Sequence, residues 1–264
     1  MRSLTARWEL LRALVSRELK SRYKGSALGV LWSLLTPLFM AGIYSFFFRL
    51  LSGRAANTPS IIVGVFAWQY TAVSVQQGMG CVTNNGNLVK KVSFPRVILP
   101  VSTTAAAGVD YLISLLIQLG IVGIFLLRAG ESWTSGFFLL PVIFALHSLF
   151  NLSLALLLGA MNVYFRDTRH LVSVLLSAFF FLSPAMYDLS FLESFAADMD
   201  PWVTRLYSLN PLVGIFTAYR WAVLPGSSFD SSVWIWTGLC FPFFLLLVGM
   251  LVYRRAQRNF ADFV

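Results

Sequence analysis

Residues 101–127 read VSTTAAAGVDYLISLLIQLGIVGIFLL, an apolar run whose only charged side chain is Asp110. A helix needs about 20 apolar residues to cross the hydrocarbon core of a bilayer, so this run is long enough to span one. The rest of the chain has the same character, because 58% of its 264 residues are hydrophobic and only 12% are charged. This composition is too apolar for an ordinary soluble domain and indicates an integral membrane protein.

Five further runs approach the same length, so the sequence predicts an all-α integral membrane protein with six transmembrane helices. The predicted spans are residues 31–51, 61–82, 101–127, 137–165, 171–187 and 233–253. A further apolar segment is divided by Asn210 and Pro211 into pieces too short to cross. We therefore interpret residues 189–224 as re-entrant helices that dip into the outer leaflet before the last span, where they are well placed to gate a pore.

The distribution of positive charge predicts the orientation of the chain. Fifteen of the 20 Lys and Arg residues fall in the N-terminal segment, the second and fourth loops and the C-terminal tail. Under the positive-inside rule these segments are cytoplasmic, so both termini face the cytoplasm. The net charge of +9 is divided among short segments between apolar runs. It therefore favours contact with anionic lipid headgroups and argues against nucleic acid as a partner.

Residues 1–27 are predicted to form an amphipathic helix along the cytoplasmic surface of the membrane. Leu4, Trp8, Leu11, Val15 and Leu19 recur there at helical spacing. The polar residues at the end of this helix that we single out are Arg17, Lys20, Arg22, Tyr23 and Lys24. Two interpretations stay open: the helix anchors the chain on anionic lipid, or its basic rim receives a phosphorylated, lipid-linked substrate.

Residues 84–98 form the second cytoplasmic loop, in which apolar side chains stand beside charges. The sequence predicts that Leu88, Val89 and Phe94 are exposed there, an arrangement that suits a protein partner. The residues we single out for such a contact are Leu88, Lys90, Lys91, Phe94, Pro95 and Arg96. An ordinary basic loop that fixes the topology remains the alternative interpretation.

Asp110, Ser114 and Gln118 lie four residues apart and therefore share one face of the third predicted span. A polar stripe of this kind points away from lipid, and an ionisable residue inside a span is a candidate functional residue. We interpret the stripe as part of the lining of a channel. The alternative is that Asp110 caps or cross-links helices.

Autonomous catalysis is not expected. A phosphate-binding loop needs Gly-Lys followed by Ser or Thr, and each of the four lysines lacks a preceding glycine. The sequence also has no Gly-x-Ser-x-Gly nucleophile elbow and no metal-ligand pair of histidines at helical spacing. We therefore predict no enzyme, no metal site and no cofactor in this chain. If transport is driven by ATP, then ATP and Mg²⁺ are bound by another subunit.

Several motifs carry a family resemblance. The run RELKSRYKGSALGVLWSLLTPL at residues 17–38 resembles the start of the first span in the permeases of polysaccharide ABC exporters, the type 2 ABC exporter family. Further motifs of that family follow in order: NLVKK at 87–91, FPR at 94–96, YFRD at 164–167, LNP at 209–211 and FAD at 260–262. The resemblance covers nearly the whole chain.

This resemblance implies a homodimeric permease of the bacterial inner membrane that works with two copies of a separate ABC ATPase. The implied substrate is a glycan attached to undecaprenyl pyrophosphate. It also implies that the 84–98 loop is a coupling helix docked on the ATPase and that residues 189–224, with Asn210, Pro211 and Arg220, form an outer gate. The pattern is closest to that of O-antigen exporters.

Three alternatives remain open. Teichoic acid exporters share much of the same pattern. A permease for a small hydrophobic drug or lipid would differ only in its substrate. A membrane enzyme acting on polyprenyl-linked sugars would need an acid or base at an outer site.

Overall fold

The structure is a computed structural model and describes residues 4–52, 57–187, 201–227 and 233–264 of the chain. Every regular element in those ranges is helical. The α-helices are α1 (Leu4–Tyr23), α2 (Trp32–Ser52), α3 (Thr58–Gly80), α4 (Gly86–Lys91), α5 (Ile98–Ala129), α6 (Leu140–Tyr164), α7 (Thr168–Phe181), α8 (Pro201–Ser208), α9 (Pro211–Val223), α10 (Val233–Ala256) and α11 (Phe260–Phe263). Short 3₁₀ turns precede α2, α4, α6 and α11. The predicted all-helical class is therefore confirmed.

Four helical stretches in the described part are long and apolar enough to cross a membrane. They are Trp32–Leu50, Ile98–Ala129, Ser135–Tyr164 and Gly238–Phe263. Each overlaps a predicted span. The other two predicted spans, 61–82 and 171–187, correspond to helices α3 and α7, which do not meet the same standard of length and hydropathy.

Helix α3 has enough residues to cross a bilayer, but it is surrounded by protein. It packs against α2, α5, α6 and α9, and an unbroken run of its residues from Ser60 to Trp68 is buried. Because protein covers it, α3 can carry polar residues such as Gln69 and Gln77 that a lipid-facing helix avoids. These residues lower its hydropathy.

Helix α7 is short. Its 14 residues extend about 21 Å, whereas the hydrocarbon core is about 30 Å thick. The chain turns after Phe181, and the predicted re-entrant segment begins at residues 189–200, which lie outside the described residues. The later part of that segment forms α8 and α9, with the break between the two helices at Leu209 and Asn210.

A second, smaller apolar core lies at the end of the helical bundle where the predicted topology places the cytoplasm. It joins Leu14 of α1, Val89 of α4, Leu99 of α5, and Tyr253 and Phe260 near the C-terminus. Tyr253 and Phe260 have no exposed surface, and their ring centroids are 5.3 Å apart. The tail of the chain is therefore part of the fold and not a free extension.

A glycine opens a slot for a buried arginine at the other end of the bundle. Arg220 of α9 is 3% exposed, and it donates through Nε to the Ser60 carbonyl at 3.2 Å and through one terminal nitrogen to the Ala185 carbonyl at 3.4 Å. A Cβ atom on Gly64 of α3 would overlap both the Arg220 guanidinium and the Ala185 carbonyl. Gly64 therefore allows one side chain to join α9, α3 and the turn after α7.

We expect Gly64→Ala to destabilise the chain by about 1–3 kcal/mol, because the added methyl group must displace backbone or the arginine. Gly120→Ala in α5 is the matched control, because a Cβ atom there meets nothing within 4 Å. The measurement is the melting temperature of each purified variant in detergent, followed by size-exclusion chromatography. Equal melting temperatures for the two variants would contradict the slot.

Candidate functional site

One buried ion pair ties the basic end of α1 to the apolar helices. The Arg22 guanidinium contacts the Asp110 carboxylate of α5 and also donates to the side-chain oxygen of Gln77 in α3. The side chains of Arg22 and Asp110 are only 12% and 10% exposed. Removing one partner of such a pair leaves a buried charge without compensation and costs about 3–5 kcal/mol. Two residues that the sequence assigned to separate sites therefore share one site.

Neutral hydrogen-bonding groups surround this ion pair. Burial, together with the nearby Asp110 carboxylate, raises the pKa of the Tyr23 hydroxyl above its ordinary value, so the phenol stays protonated at neutral pH. The Ser114 hydroxyl donates to the backbone carbonyl of Asp110 at 3.0 Å and lies 3.5 Å from that of Ser33. The cluster thus combines one positive charge, one negative charge and several neutral groups, so its net charge is zero.

A pocket of about 380 Å³ lies beside the cluster, between α1, α2, α3 and α5. Its polar lining consists of Arg22, Ser33, Thr36, Gln69, Gln77, Asp110 and Ser114, and its aromatic lining of Tyr23, Trp32, Phe66, Tyr70 and Tyr111. Phe66, Gln69, Val73 and Gln77 recur at helical spacing, so α3 turns one face toward the pocket. The volume lies within the range of small-molecule sites.

The aromatic wall of the pocket is fixed by the bundle behind it. The rings of Tyr70 and Tyr111 stack with centroids 4.6 Å apart and an interplanar angle of 2°. The Tyr70 hydroxyl hydrogen-bonds to Ser148 at 2.8 Å, and behind it Thr71 and His147 hydrogen-bond at 2.7 Å. His147 is completely buried, so its place in the structure is that of a hydrogen-bonding core residue.

Other residues predicted for the same functions lie elsewhere. Lys20 and Lys24 are exposed and do not line the pocket, and Arg17 contacts Asn85, just before α4. Gln118, the third member of the polar stripe, has no exposed surface and lies within the protein interior. The stripe is therefore turned into the chain, and Asp110 and Ser114 are its members at the pocket.

Sequence reasoning missed the contributions of α2 and α3 to this pocket. Trp32, Gln69, Tyr70 and Gln77 all line it. A signal was present, because glutamines inside a predicted span indicate a helix face covered by protein. The partner of that face depends on the packing of four helices, and spacing along one helix does not specify it.

The loop between α3 and α5 contains the short helix α4. The prediction that Val89 is exposed is wrong, because this residue is 3% exposed and belongs to the apolar core at that end. Leu88 and Phe94 are partly buried and pack against the same core. Among the aliphatic and aromatic side chains of the loop, Val92 is the one presented to solvent: it is 45% exposed and stands next to the exposed Lys91.

The C-terminal tail supports this loop. The Tyr253 hydroxyl donates to the Arg96 backbone carbonyl at 2.9 Å, and the Arg96 guanidinium donates to the Gln257 carbonyl. A side chain on Gly86 would collide with Val264, so α4 lies directly against the last residue. Pro95, also predicted for this site, is exposed. The loop is therefore held in place by C-terminal residues that lie some 160 positions away in sequence.

The outer residues singled out by the sequence form hydrogen bonds at the ends of helices. Asn210 caps α9 by accepting from the Leu212 amide at 3.0 Å, and its own amide group donates to Ser183 at 3.0 Å. Pro211 is the first residue of α9, a position that lacks an amide partner in any helix. Together with the buried Arg220, this cap attaches α9 to the turn that follows α7.

Comparison with known proteins adds the family. Residues 9–224 match the ABC-2 type transporter family. The O-antigen export system permease protein RfbA of Myxococcus xanthus is 34% identical over 215 residues, which cover 80% of this chain and 78% of that protein. A protein of the same name from Klebsiella pneumoniae is 28% identical over 264 residues, which cover 97% and 95%. This chain belongs to the ABC-2 type transporter family.

Proposed function

We propose that the chain is the permease subunit of an ATP-driven exporter that moves an undecaprenyl-pyrophosphate-linked polysaccharide of the O-antigen type across the bacterial inner membrane. The observation that carries this proposal is the match to permeases named for O-antigen export, which for two of them covers 97% of the chain. The motifs of the polysaccharide exporters at residues 17–38 and 87–96 support it. Both motifs lie where the structure concentrates polar and basic groups around α1 and α4.

The test is genetic. The gene should restore surface O-antigen to a host that lacks its own permease, when it is supplied together with its partner ATPase and the matching glycan-synthesis genes. Surface glycan measured with a specific antibody is the readout. If lipid-linked glycan stays inside the cell while the chain is present in the membrane, the chain is a permease for another substrate or an enzyme.

The proposed assembly is a homodimer with two copies of the ATPase, which binds the ATP and Mg²⁺. Each permease would cross the membrane six times, with the residues of α3 and α7 supplying the two crossings beyond the four long apolar stretches. In this assembly α1 lies along the cytoplasmic membrane surface, where the 65% exposed Trp8 is suited to the headgroup region. Residues 84–98 would couple to the ATPase, and residues 189–224 would gate the outer side.

Energy supply is tested with the purified chain. We expect no ATP hydrolysis by the permease alone, because its sequence has no phosphate-binding loop. Addition of the partner ATPase should form a complex that hydrolyses ATP. The measurement is phosphate release in nanodiscs, with a preparation pure enough to exclude contaminating ATPases. ATP turnover by the permease alone would overturn the assignment.

Topology is tested by cysteine labelling in a background without Cys81 and Cys240, the former of which is buried and the latter exposed. A membrane-impermeant maleimide added outside should label Ser228→Cys, a position outside the described residues. It should not label Arg258→Cys, which lies in the basic tail and is exposed. Labelling of Arg258→Cys but not of Ser228→Cys would contradict the six-span arrangement.

Coupling is tested at three positions of the loop. Val92→Asp places a charge on an exposed apolar side chain, so we expect at least about tenfold less ATPase to co-purify, with the melting temperature unchanged. Lys90→Ala removes only a rim charge and should retain most export. Phe94→Ala should lower the stability of the permease itself by about 2 kcal/mol, because Phe94 packs on the core of its own chain.

Surface glycan, co-purification and melting temperature are measured at matched membrane levels of the three variants. If Lys90→Ala abolishes export while Val92→Asp does not, the loop binds its partner through charge, and the apolar contact has no part in coupling.

A further inference from the structure

We propose that the pocket between α1, α2, α3 and α5 binds a single neutral sugar ring of the lipid-linked glycan. The ring would stack on Trp32 and hydrogen-bond to Gln69 and Asp110. The inference rests on the proposed function, because a glycan substrate is taken from it. It goes further by proposing that the sugar and the phosphate of this substrate bind at different parts of the surface.

The charge balance of the pocket argues against a phosphate ligand. Arg22 would be the natural phosphate-binding group, but both terminal nitrogens of its guanidinium are already engaged, one by Asp110 and the other by Gln77. A phosphate in the pocket would also face the Asp110 carboxylate, and like charges at close range repel. Lys20 and Lys24, near Arg22 on the same stretch of chain, form no ion pair with the described residues and lie on the exposed surface outside the pocket. The diphosphate of a lipid-linked glycan would therefore bind more favourably at these exposed lysines than in the pocket.

The polar lining suits hydroxyl groups. A sugar ring presents donors and acceptors around its edge, and carboxylates, side-chain amides and hydroxyls can each bind them. Gln69 lines the pocket, and within the described ranges its side-chain amide makes no hydrogen bond. Its donor and acceptor are both available to a ligand. Asp110 and Gln77 already have their orientation fixed by Arg22, so they are preorganised for the same task.

The aromatic lining suits the face of a ring. Tyr70 and Tyr111 are buried and stack on each other, so their faces are occupied. Trp32 is 52% exposed and lines the pocket at the start of α2, where its indole is accessible. An aromatic ring with an accessible face binds the apolar C–H side of a sugar while the hydroxyls reach the polar wall. A volume of about 380 Å³ limits the ligand to one or two rings.

The test uses the full-length permease in lipid nanodiscs and ligand-observed saturation-transfer NMR. The probes are N-acetylglucosamine, galactose, mannose and rhamnose, with sorbitol as an open-chain polyol that has hydroxyls but no ring face. We expect saturable binding of at least one of the ring sugars and none of sorbitol. Sodium pyrophosphate should not displace the bound sugar.

Variants locate the binding. Trp32→Leu removes the aromatic face and should weaken sugar binding about fivefold. Trp32→Phe keeps a smaller aromatic face and should bind the sugar more tightly than Trp32→Leu does. Trp8→Leu is the matched control: Trp8 is a similarly exposed tryptophan on α1 that does not line the pocket, so binding should be unchanged. Both Trp32 variants alter an exposed side chain and leave the ion pair intact.

Three results would overturn the proposal: saturation by none of the four sugars, equal affinity in Trp32→Leu and the unmodified chain, or displacement of the sugar by pyrophosphate. Export separates this failure from failure of the proposed function. If the unmodified chain restores surface O-antigen but binds no sugar, only the pocket assignment is wrong. If it restores none, the function itself is wrong.

Discussion

The absence of water from a bilayer core constrains the whole structure, because polar groups within the bundle must find partners inside the protein. Several polar side chains of the bundle find their partners on α3. Asp110 of α5 meets Gln77 of α3 through Arg22, Thr71 meets His147 of α6, and the Ser60 carbonyl meets Arg220 of α9. Helix α3 is thus the helix at which these polar contacts meet, and the more apolar helices pack around it.

This arrangement also explains why α3 is not among the four helical stretches that are long and apolar enough to cross a membrane. A hydropathy measure identifies helices that face lipid, and a helix enclosed by other helices has no need to be uniformly apolar. Helix α3 has the length to cross but carries glutamines on the face that meets the pocket. Long hydrophobic runs such as 101–127 were therefore predicted well from the sequence, whereas the low hydropathy of α3 reflects the helices around it and α7 is only 14 residues long.

The functional residues divide in the same way. Periodicity placed Asp110 and Ser114 on one inward face, and Arg22 was singled out among the polar residues at the end of the predicted N-terminal helix. Neither pattern showed that Arg22 and Asp110 are partners, because they are 88 positions apart in sequence and meet only when α1 packs on α5. The exposure of Val89 was misjudged for a related reason. The core that buries it is formed by Tyr253 and Phe260, at the far end of the chain.

The positions of these contacts bear on how a signal would cross the proposed assembly. The loop containing α4 is braced by the tail through Arg96 and Gln257, and it contacts α1 through Asn85 and Arg17. Five residues beyond Arg17, Arg22 reaches the pocket through Asp110. In the proposed assembly, a displacement of α4 by a bound ATPase would reach α1 through the contact between Asn85 and Arg17. The contact of the α4 loop at Arg17 and the contact of the pocket at Arg22 are separated by less than two turns of one helix, about 7.5 Å along its axis. Movement of the loop and release of a ligand from the pocket would then be parts of one motion.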